Sequence, residues 1–167
     1  KLNHISEIIE LQQRFVGELG TENMTRVPEV VKSSIKIFEE SFSKRNVGIE
    51  TVYDSDVPEV LIDPSMLIQV FINIIKNATE ALPKGGHITL SSRLEDDLVF
   101  ISIKDDGIGI PKENLGKIFE PFWTTKGFKA TGMGLSSILG VIKRYNGDIS
   151  IQSSPGEGTE VLISLPG

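Results

Sequence analysis

Four stretches of the chain carry apolar residues at the 3.6-residue spacing of an amphipathic helix. Pro28 suits the first turn of the second stretch, and Asp63 and Pro64 place an N-cap acceptor and a first-turn proline at the start of the third. Pro83 and the residues after it end that third stretch. The predicted helices cover about residues 1–17, 28–45, 64–82 and 133–145, with a shorter one near 112–118.

Alternating apolar and polar residues predict strands in most of the remaining chain. Between residues 98 and 105, Val99, Ile101, Ile103 and Asp105 fall on one face of a strand. Strands and helices in this mixed order predict an α/β (α+β) two-layer sandwich, in which a mixed, mostly antiparallel sheet has helices on one face. The predicted strands cover about residues 47–53, 60–62, 87–94, 98–105, 148–154 and 159–165.

A polar stretch at about residues 18–26 separates the first predicted helix from the rest of the chain. That helix is too short and too separate to belong to the main core. We therefore expect residues 1–20 to be the end of a neighbouring domain's helix with its linker. Residues 21–167 then form one globular domain, large enough to bury a core without disulfides.

Composition and charge exclude several classes of protein. The 167 residues contain no cysteine, which rules out disulfides, iron–sulfur clusters and thiol catalysis, and the two histidines argue against a structural zinc site. No apolar run approaches the ~20 residues of a membrane span, and no signal segment opens the sequence. The net charge of −6 argues against nucleic acid as a partner. We expect a cytoplasmic domain. The sequence leaves open whether a longer parent protein that contains it is anchored in a membrane.

Asn73 and Asn77 lie four residues apart and share one face of the third predicted helix. Met66 and Val70 continue their row, so we expect the row to be half buried. A buried amide without a partner costs about 1–3 kcal/mol, so both amides need partners. Two interpretations remain open. In the first, which the pair alone favours, the amides form hydrogen bonds with neighbouring backbone and stabilise the helix. In the second, their carbonyl oxygens bind a hard cation such as Mg²⁺.

Asp105 ends a predicted strand on the same face as three aliphatic residues. A carboxylate there is costly to bury unless it is hydrogen-bonded, and Gly107 and Gly109 permit positive φ and close approach of a ligand to the backbone. A tight turn with a solvated acidic pair explains Asp106 well and Asp105 poorly. A dinucleotide-binding fingerprint fails because Lys112 stands where its last glycine is needed, and no P-loop sequence occurs.

Two further segments carry candidate chemistry. Residues 130–136 open the fourth predicted helix with Gly132 and Gly134, and either offer backbone N–H groups to an anion or form an ordinary flexible loop. Residues 118–126 bring aromatic side chains next to Lys126. The aromatics either anchor a loop or dock a partner, and the lysine is able to reach a phosphate.

In this order the four segments resemble the ATP-binding catalytic domain of sensor histidine kinases, which shares its superfamily with gyrase, a heat-shock chaperone and mismatch-repair ATPases. The resemblance covers about residues 28–167 and implies the Bergerat ATP-binding fold. A single box has little specificity, but four in order at this spacing are specific. The matching segments are the N box at 73–78, the first glycine box at 105–110, the F box at 119–122 and the second glycine box at 132–135.

The ends of the chain refine this resemblance. The run at 121–126 is most similar to the nitrogen-regulation-like subgroup of the family. Residues 1–17 resemble the end of the second helix in the family's dimerisation and phosphoacceptor domain. Two positions depart from the usual boxes, since Ala130 stands where a glycine is frequent and Asp106 stands where asparagine is common.

The resemblance implies Mg·ATP as the ligand and gives roles to residues of each box. Asp105 would accept the adenine amino group, aided by a water that Thr159 helps to hold. Asn77 would coordinate Mg²⁺, while Asn73 and Lys76, the implied catalytic residues, would lie near the metal and phosphates. The implied ATP-binding residues are Asn73, Asn77, Asp105, Gly107, Gly109, Ile110, Thr125, Lys126, Lys129, Gly132, Met133, Gly134, Leu135 and Thr159.

Phe119 and Phe122 are implied to anchor a lid over the nucleotide and to face the phosphoacceptor domain. Residues 111–131 around them include four lysines and two glutamates. A locally basic lid would therefore meet the phosphates in a chain that is acidic overall.

Asn73 bears on whether the phosphoryl group goes to water or to protein. In the superfamily's hydrolases this position carries a glutamate that activates water, and asparagine takes up no proton at neutral pH. A neutral imidazole is already nucleophilic, so the resemblance implies γ-phosphoryl transfer to a histidine in two-component signalling. His4 lacks the acidic residue and proline that follow the family's acceptor, and His87 begins a strand, so we expect the acceptor outside this chain.

Two alternatives to the kinase remain open. One is an ATPase of the same superfamily that drives a conformational cycle, and the other is a nucleotide-gated interaction module without phosphotransfer. For the kinase, the implied partners are the phosphoacceptor domain of the same parent protein and the receiver domain of a response regulator. We expect the parent to be a homodimer and this chain to be a monomer.

Overall fold

A three-residue strand, β1 (Asn23–Thr25), opens the described part of the chain, which comprises residues 22–118 and 134–167 of the computed structural model. It pairs antiparallel with β3 (Val60–Ile62), and the buried Thr25 hydroxyl donates to the Ile62 carbonyl at 3.3 Å. The sequence predicts a break with no strand across 18–26, and this prediction is wrong for these three residues. Its residues have no apolar run that would predict a strand, and its pairing with β3 rests on main-chain hydrogen bonds.

The main sheet holds the strands that the alternating pattern predicts. Its strands, within the described residues, are β2 (Val47–Tyr53), β4 (Gly86–Glu95), β5 (Leu98–Asp105), β6 (Asp148–Ser154) and β7 (Gly158–Pro166). Their order across the sheet is β2-β4-β5-β7-β6. β2 runs parallel to β4, and every other pair is antiparallel. The predicted mixed, mostly antiparallel sheet is confirmed.

Helices cover one face of this sheet. The described helices are α1 (Val27–Arg45), α2 (Pro64–Glu80), α3 (Lys112–Leu115) and α4 (Gly134–Arg144). The longer ones agree closely with the predicted bounds, and α2 packs against both α1 and α4. The helix predicted at 1–17 and the domain division at residues 20 and 21 lie outside the described residues and stay predictions.

The helix-facing side of β5 carries the predicted apolar face. Val99, Ile101 and Ile103 are at most 1% exposed, and Asp105 at the end of the same row is 5% exposed. The core therefore continues directly into a buried carboxylate at the C-terminal end of the sheet's central strand. None of the helices in residues 22–118 and 134–167 is long and apolar enough to cross a membrane.

The start of α2 is fixed by the cap that the sequence predicts. The Asp63 carboxylate is 3% exposed and accepts hydrogen bonds from the Ser65 N–H at 3.0 Å and the Ser65 hydroxyl at 2.7 Å. Pro64 follows in the first turn. This cap holds the first turn of α2, the helix that also carries Asn73 and Asn77, directly after β3.

We expect Asp63→Ala to lower the free energy of unfolding by about 1–2 kcal/mol, because the first-turn N–H of α2 loses its acceptor in a buried place. Urea unfolding followed by circular dichroism measures the change. Asp63→Asn keeps an acceptor oxygen and should lose much less. Equal midpoints for the alanine variant and the parent chain would contradict the importance of this cap.

Candidate functional site

Asp105 is the buried carboxylate around which the site is built. It is the last residue of β5 and lies between Ile88 of β4 and Thr159 of β7 in the sheet register. Its Oδ1 accepts a hydrogen bond from the Gly107 N–H at 2.9 Å. One carboxylate oxygen is therefore bound by the turn that follows.

Burial raises the pKa of the Asp105 carboxyl, because an apolar environment disfavours the charged form. Backbone N–H groups of Gly107 and Thr159 oppose this rise by donating to the carboxylate, and the neighbouring Asp106 charge adds to it. A ligand N–H that reached the Asp105 carboxylate would form a charge-assisted hydrogen bond in a largely dry place.

The turn after Asp105 lies against the C-terminal end of α2. A Cβ atom at Gly107 would collide with the Ala81 carbonyl, and the Ile108 N–H donates to that same carbonyl at 2.9 Å. Gly109 has φ +74°, and a Cβ there would collide with the Ser154 carbonyl. The expected close approach and positive φ are present, but the backbone that comes close is the protein's own. Close approach of a ligand to these glycines stays a prediction.

Ser153 holds the far side of this turn. Its hydroxyl donates to the Gly158 carbonyl at 2.9 Å and accepts from the Ile110 N–H at 2.8 Å. The Ser153 and Thr159 hydroxyl oxygens lie 2.7 Å apart. Sequence reasoning missed Ser153, because its partners appear only once the pairing of β6 with β7 places it opposite Thr159. Thr159 is thereby fixed on the same face as Asp105.

Asn73 and Asn77 lie on α2, whose C-terminal end contacts the same turn at Ala81. Asn73 is half-buried, Asn77 and Lys76 are exposed, and the Ala81 N–H donates to the Asn77 carbonyl at 3.1 Å. The expectation of a half-buried row is therefore right for Asn73 and wrong for Asn77, which lies near the end of the helix. Neither side-chain amide is hydrogen-bonded to another of residues 22–118 and 134–167, so the bracing interpretation gains no support there.

This donor set fits a hard cation. Mg²⁺ binds oxygen atoms, keeps several waters and usually takes only one or two protein ligands beside substrate phosphates. The exposed amide of Asn77 is able to offer such an oxygen, with the half-buried amide of Asn73 one turn earlier.

The second glycine box is described only at its end. Gly134 is the first residue of α4, and Leu135 is half-buried and packs against the core. The structure therefore gives Leu135 a packing role and leaves its predicted contact with nucleotide untested. The other predicted site residues lie outside the described residues: Phe119, Phe122, Thr125, Lys126, Lys129, Gly132 and Met133.

Comparison with known proteins supports the resemblance that the boxes indicate. Residues 62–167 match the profile of the family described as histidine kinase-, DNA gyrase B-, and HSP90-like ATPase. Sporulation kinase E of Bacillus subtilis (strain 168) is 38% identical over 141 residues, covering 84% of this chain and 19% of that protein. Sensor histidine kinase ZraS of Escherichia coli (strain K12) is 28% identical over 167 residues, covering 99% of this chain and 35% of that protein. The chain thus spans about a fifth to a third of these relatives.

Solved structures show the same fold. A nucleotide-free form of the catalytic domain of histidine kinase ThkA superposes with a TM-score of 0.77 at 32% identity, covering 87% of this chain and 96% of that chain. Full-length ShkA in complex with AMPPNP has a TM-score of 0.79 at 22% identity, a likeness of fold alone, covering 98% of this chain and 34% of that chain. The nitrogen-regulation-like subgroup stays a prediction. The profile match over residues 62–167 places this chain in the histidine kinase-, DNA gyrase B-, and HSP90-like ATPase family.

Proposed function

We propose that this chain binds Mg·ATP and transfers the γ-phosphoryl group to a histidine of a phosphoacceptor domain outside the chain, in two-component signalling. The observation that carries the proposal is the buried, strand-ending carboxylate of Asp105 beside a glycine turn that is locked to α2. Relatives named as sporulation and sensor histidine kinases support the transfer to histidine.

Asp105 recognises the adenine in this proposal. Its Oδ1 is bound by the Gly107 N–H, so Oδ2 accepts the adenine amino group. Thr159 lies opposite Asp105 in the sheet register, and its hydroxyl is close to that of Ser153. This position supports its role in holding a water between the strand ends and the base.

The amides of α2 serve the phosphate end of the nucleotide. Asn77 would hold Mg²⁺, which neutralises phosphate charge when bound, and Asn73 lies one turn earlier. Lys76 is exposed on the neighbouring side of the helix and is a secondary candidate for a phosphate contact. Gly132, Met133, Gly134 and Leu135 are proposed to bring backbone N–H groups to the phosphates.

The lid closes the site in this proposal. Thr125, Lys126 and Lys129 would contact the nucleotide from the lid, while Phe119 and Phe122 would contact the phosphoacceptor domain. Gly107, Gly109 and Ile110 would line the opposite side. The two lysines would supply positive charge where a locally basic segment meets the phosphates.

Transfer to histidine is favoured over hydrolysis because the site offers no general base at Asn73. An amide takes up no proton at neutral pH, whereas a neutral imidazole attacks phosphorus without prior deprotonation. Phosphoryl transfer depends mostly on positioning and charge neutralisation, which a carboxylate, two amides and backbone N–H groups supply. The ATPase and the interaction module therefore rank below the kinase.

The partners follow from the proposed reaction. We infer that residues 1–20 belong to the phosphoacceptor domain and its linker, that residues 21–167 form the catalytic domain, and that the parent is a cytoplasmic or membrane-anchored homodimer. The isolated chain would be a monomer. A response-regulator receiver domain would take the phosphoryl group onward, a proposal supported by the solved complex of histidine kinase ThkA with response regulator protein TrrA.

Asp105→Asn should weaken ATP binding by about 1.5–3 kcal/mol, the range for a hydrogen bond to a charged group. Isothermal titration calorimetry of the chain with ATP and Mg²⁺ measures the loss. Asp56→Asn changes an exposed carboxylate in the turn between β2 and β3 and serves as the matched control. Unchanged affinity in the Asp105 variant would overturn the adenine assignment.

The same substitution should stabilise the nucleotide-free chain at pH 7. Because folding raises the pKa of Asp105, this carboxyl contributes stability below its unfolded pKa, and the contribution is lost as the pH rises through the folded pKa. Asparagine does not titrate, so its advantage at pH 7 should narrow toward about pH 4. Urea unfolding of both chains at pH 7, 5 and 4 measures this trend. An asparagine variant less stable than the parent chain at pH 7 would contradict it.

Mixing the chain with a separate phosphoacceptor fragment of a related kinase and radiolabelled ATP should place acid-labile label on that fragment. Phosphohistidine is recognised because its label is lost in acid and kept in alkali. Replacing the acceptor histidine with glutamine should abolish the label. Steady phosphate release by the chain alone, without label on any histidine, would instead favour the ATPase.

A further inference from the structure

Asp106 lies beside Asp105 in sequence, but its carboxylate is bound on another side, by the first residues of β4. Its Oδ1 accepts from the His87 N–H at 2.7 Å, and its Oδ2 lies 3.0 Å from His87 Nδ1. In return, the Asp106 N–H donates to the His87 carbonyl at 3.2 Å. Two residues that sequence reasoning left without a shared role therefore exchange three contacts.

These contacts continue the β4–β5 ladder by one step beyond its last pair. That pair joins Ile88 to Asp105, so His87 and Asp106 are the next residues in register. In a regular ladder the His87 N–H would donate to the Asp106 carbonyl. Here it donates to the Asp106 carboxylate instead. The side chain replaces the main-chain acceptor, and the backbone is free to turn at residues 106 and 107 without leaving the His87 N–H unpaired.

Gly86 makes room for this arrangement. It has φ +151°, and a Cβ atom there would collide with Asp106 Oδ1 and approach Leu82 Cδ2 to 2.7 Å. The Gly86 N–H in turn donates to the Asn46 carbonyl at 3.2 Å. The Asp106 carboxylate therefore has a defined position between the end of α2 and the start of β4.

The position of the Asp106 carboxylate also affects the pKa of the buried Asp105. Hydrogen bonds from the His87 backbone N–H and then its side chain hold the pKa of Asp106 below the usual carboxyl range. The charged Asp106 adds to the rise in the pKa of Asp105. Binding by His87 keeps this second carboxylate on the β4 side, so that Asp105 alone faces a ligand on its own side of the turn.

We infer that Asp106, seated against His87, is a positioning residue that makes the Asp105 site selective for adenine; this inference rests on the proposed function. It fixes residues 105–107, so Asp105 Oδ1 stays on the Gly107 N–H and Oδ2 is held toward the base. Adenine presents an amino donor to that oxygen. Guanine presents a carbonyl oxygen at the same ring position, which a fixed carboxylate repels.

Asparagine at residue 106 is expected to substitute well. Its side-chain oxygen is able to accept from the His87 N–H, and its amide nitrogen is able to donate to a neutral His87 ring. Alanine offers neither group. The pair of variants at one position therefore separates the hydrogen-bonding role of the side chain from its charge.

The test compares ATP and GTP binding to the whole 167-residue chain in the presence of Mg²⁺, with GTP measured by competition against a fluorescent ATP analogue. Asp106→Ala should weaken ATP binding by about five- to tenfold and GTP binding by less, so the ATP/GTP affinity ratio falls. Asp106→Asn should keep ATP binding within about twofold. Asp56→Ala, at the opposite end of β2, is the control.

A second variant tests the inference in case Asp106→Ala does not fold. His87→Ala keeps the backbone N–H bond to Asp106 and removes an exposed ring, so it should fold and lower the ATP/GTP ratio by a smaller factor. An unchanged ratio in every variant that folds would overturn the inference. So would equal losses of ATP and GTP binding, which indicate a purely structural role.

The outcomes also separate this inference from the proposed function. If the parent chain binds ATP and Asp105→Asn weakens that binding while both Asp106→Ala and His87→Ala retain the parent ratio, the inference fails and the proposed function stands. If the parent chain binds no ATP, the proposed function fails and the inference fails with it.

Discussion

The contact between the Gly107 backbone and the Ala81 carbonyl sets the geometry of the site. No side chain fits at Gly107, and the Ile108 N–H binds the same carbonyl. The end of α2 and the end of β5 are therefore joined main chain to main chain. Because α2 carries Asn73 and β5 ends at Asp105, the distance between the groups proposed for phosphate and for base is fixed by backbone rather than by adaptable side chains.

Burial of Asp105 costs the fold stability and, in the proposed function, would strengthen a hydrogen bond to the base. The apolar row of β5 continues into this carboxylate, and burial raises its pKa. Hydrogen bonds from the turn offset part of that cost, and Ser153 and the pair of His87 with Asp106 hold the turn from its two sides. A nucleotide base that donated to this carboxylate would offset more of the cost, as expected where stability is exchanged for function.

Helices and strands were predictable from sequence because burial of one face makes apolar residues recur at a regular spacing. Contacts that depend on strand register were not predictable. The row that ends at Asp105, and the Asp63 cap, follow from local pattern and are present. β1 was not predicted because its residues lie inside the polar stretch at 18–26. Ser153 and His87 have partners that are defined only after strands pair, and the exposure of Asn77 depends on where α2 ends.

The pairing of β1 with β3 connects the start of the described chain to the start of α2. β3 ends at Ile62, and the next residue, Asp63, caps α2. The chain also continues from β1 through Arg26 into α1, which packs against α2, so a displacement of the chain ahead of Asn23 would reach the helix that carries the amides by two routes. The β1–β3 ladder has three residue pairs, fewer than any ladder of the main sheet. By backbone hydrogen bonds it is the weaker of the two routes, and the packing of α1 on α2 would remain if it opened.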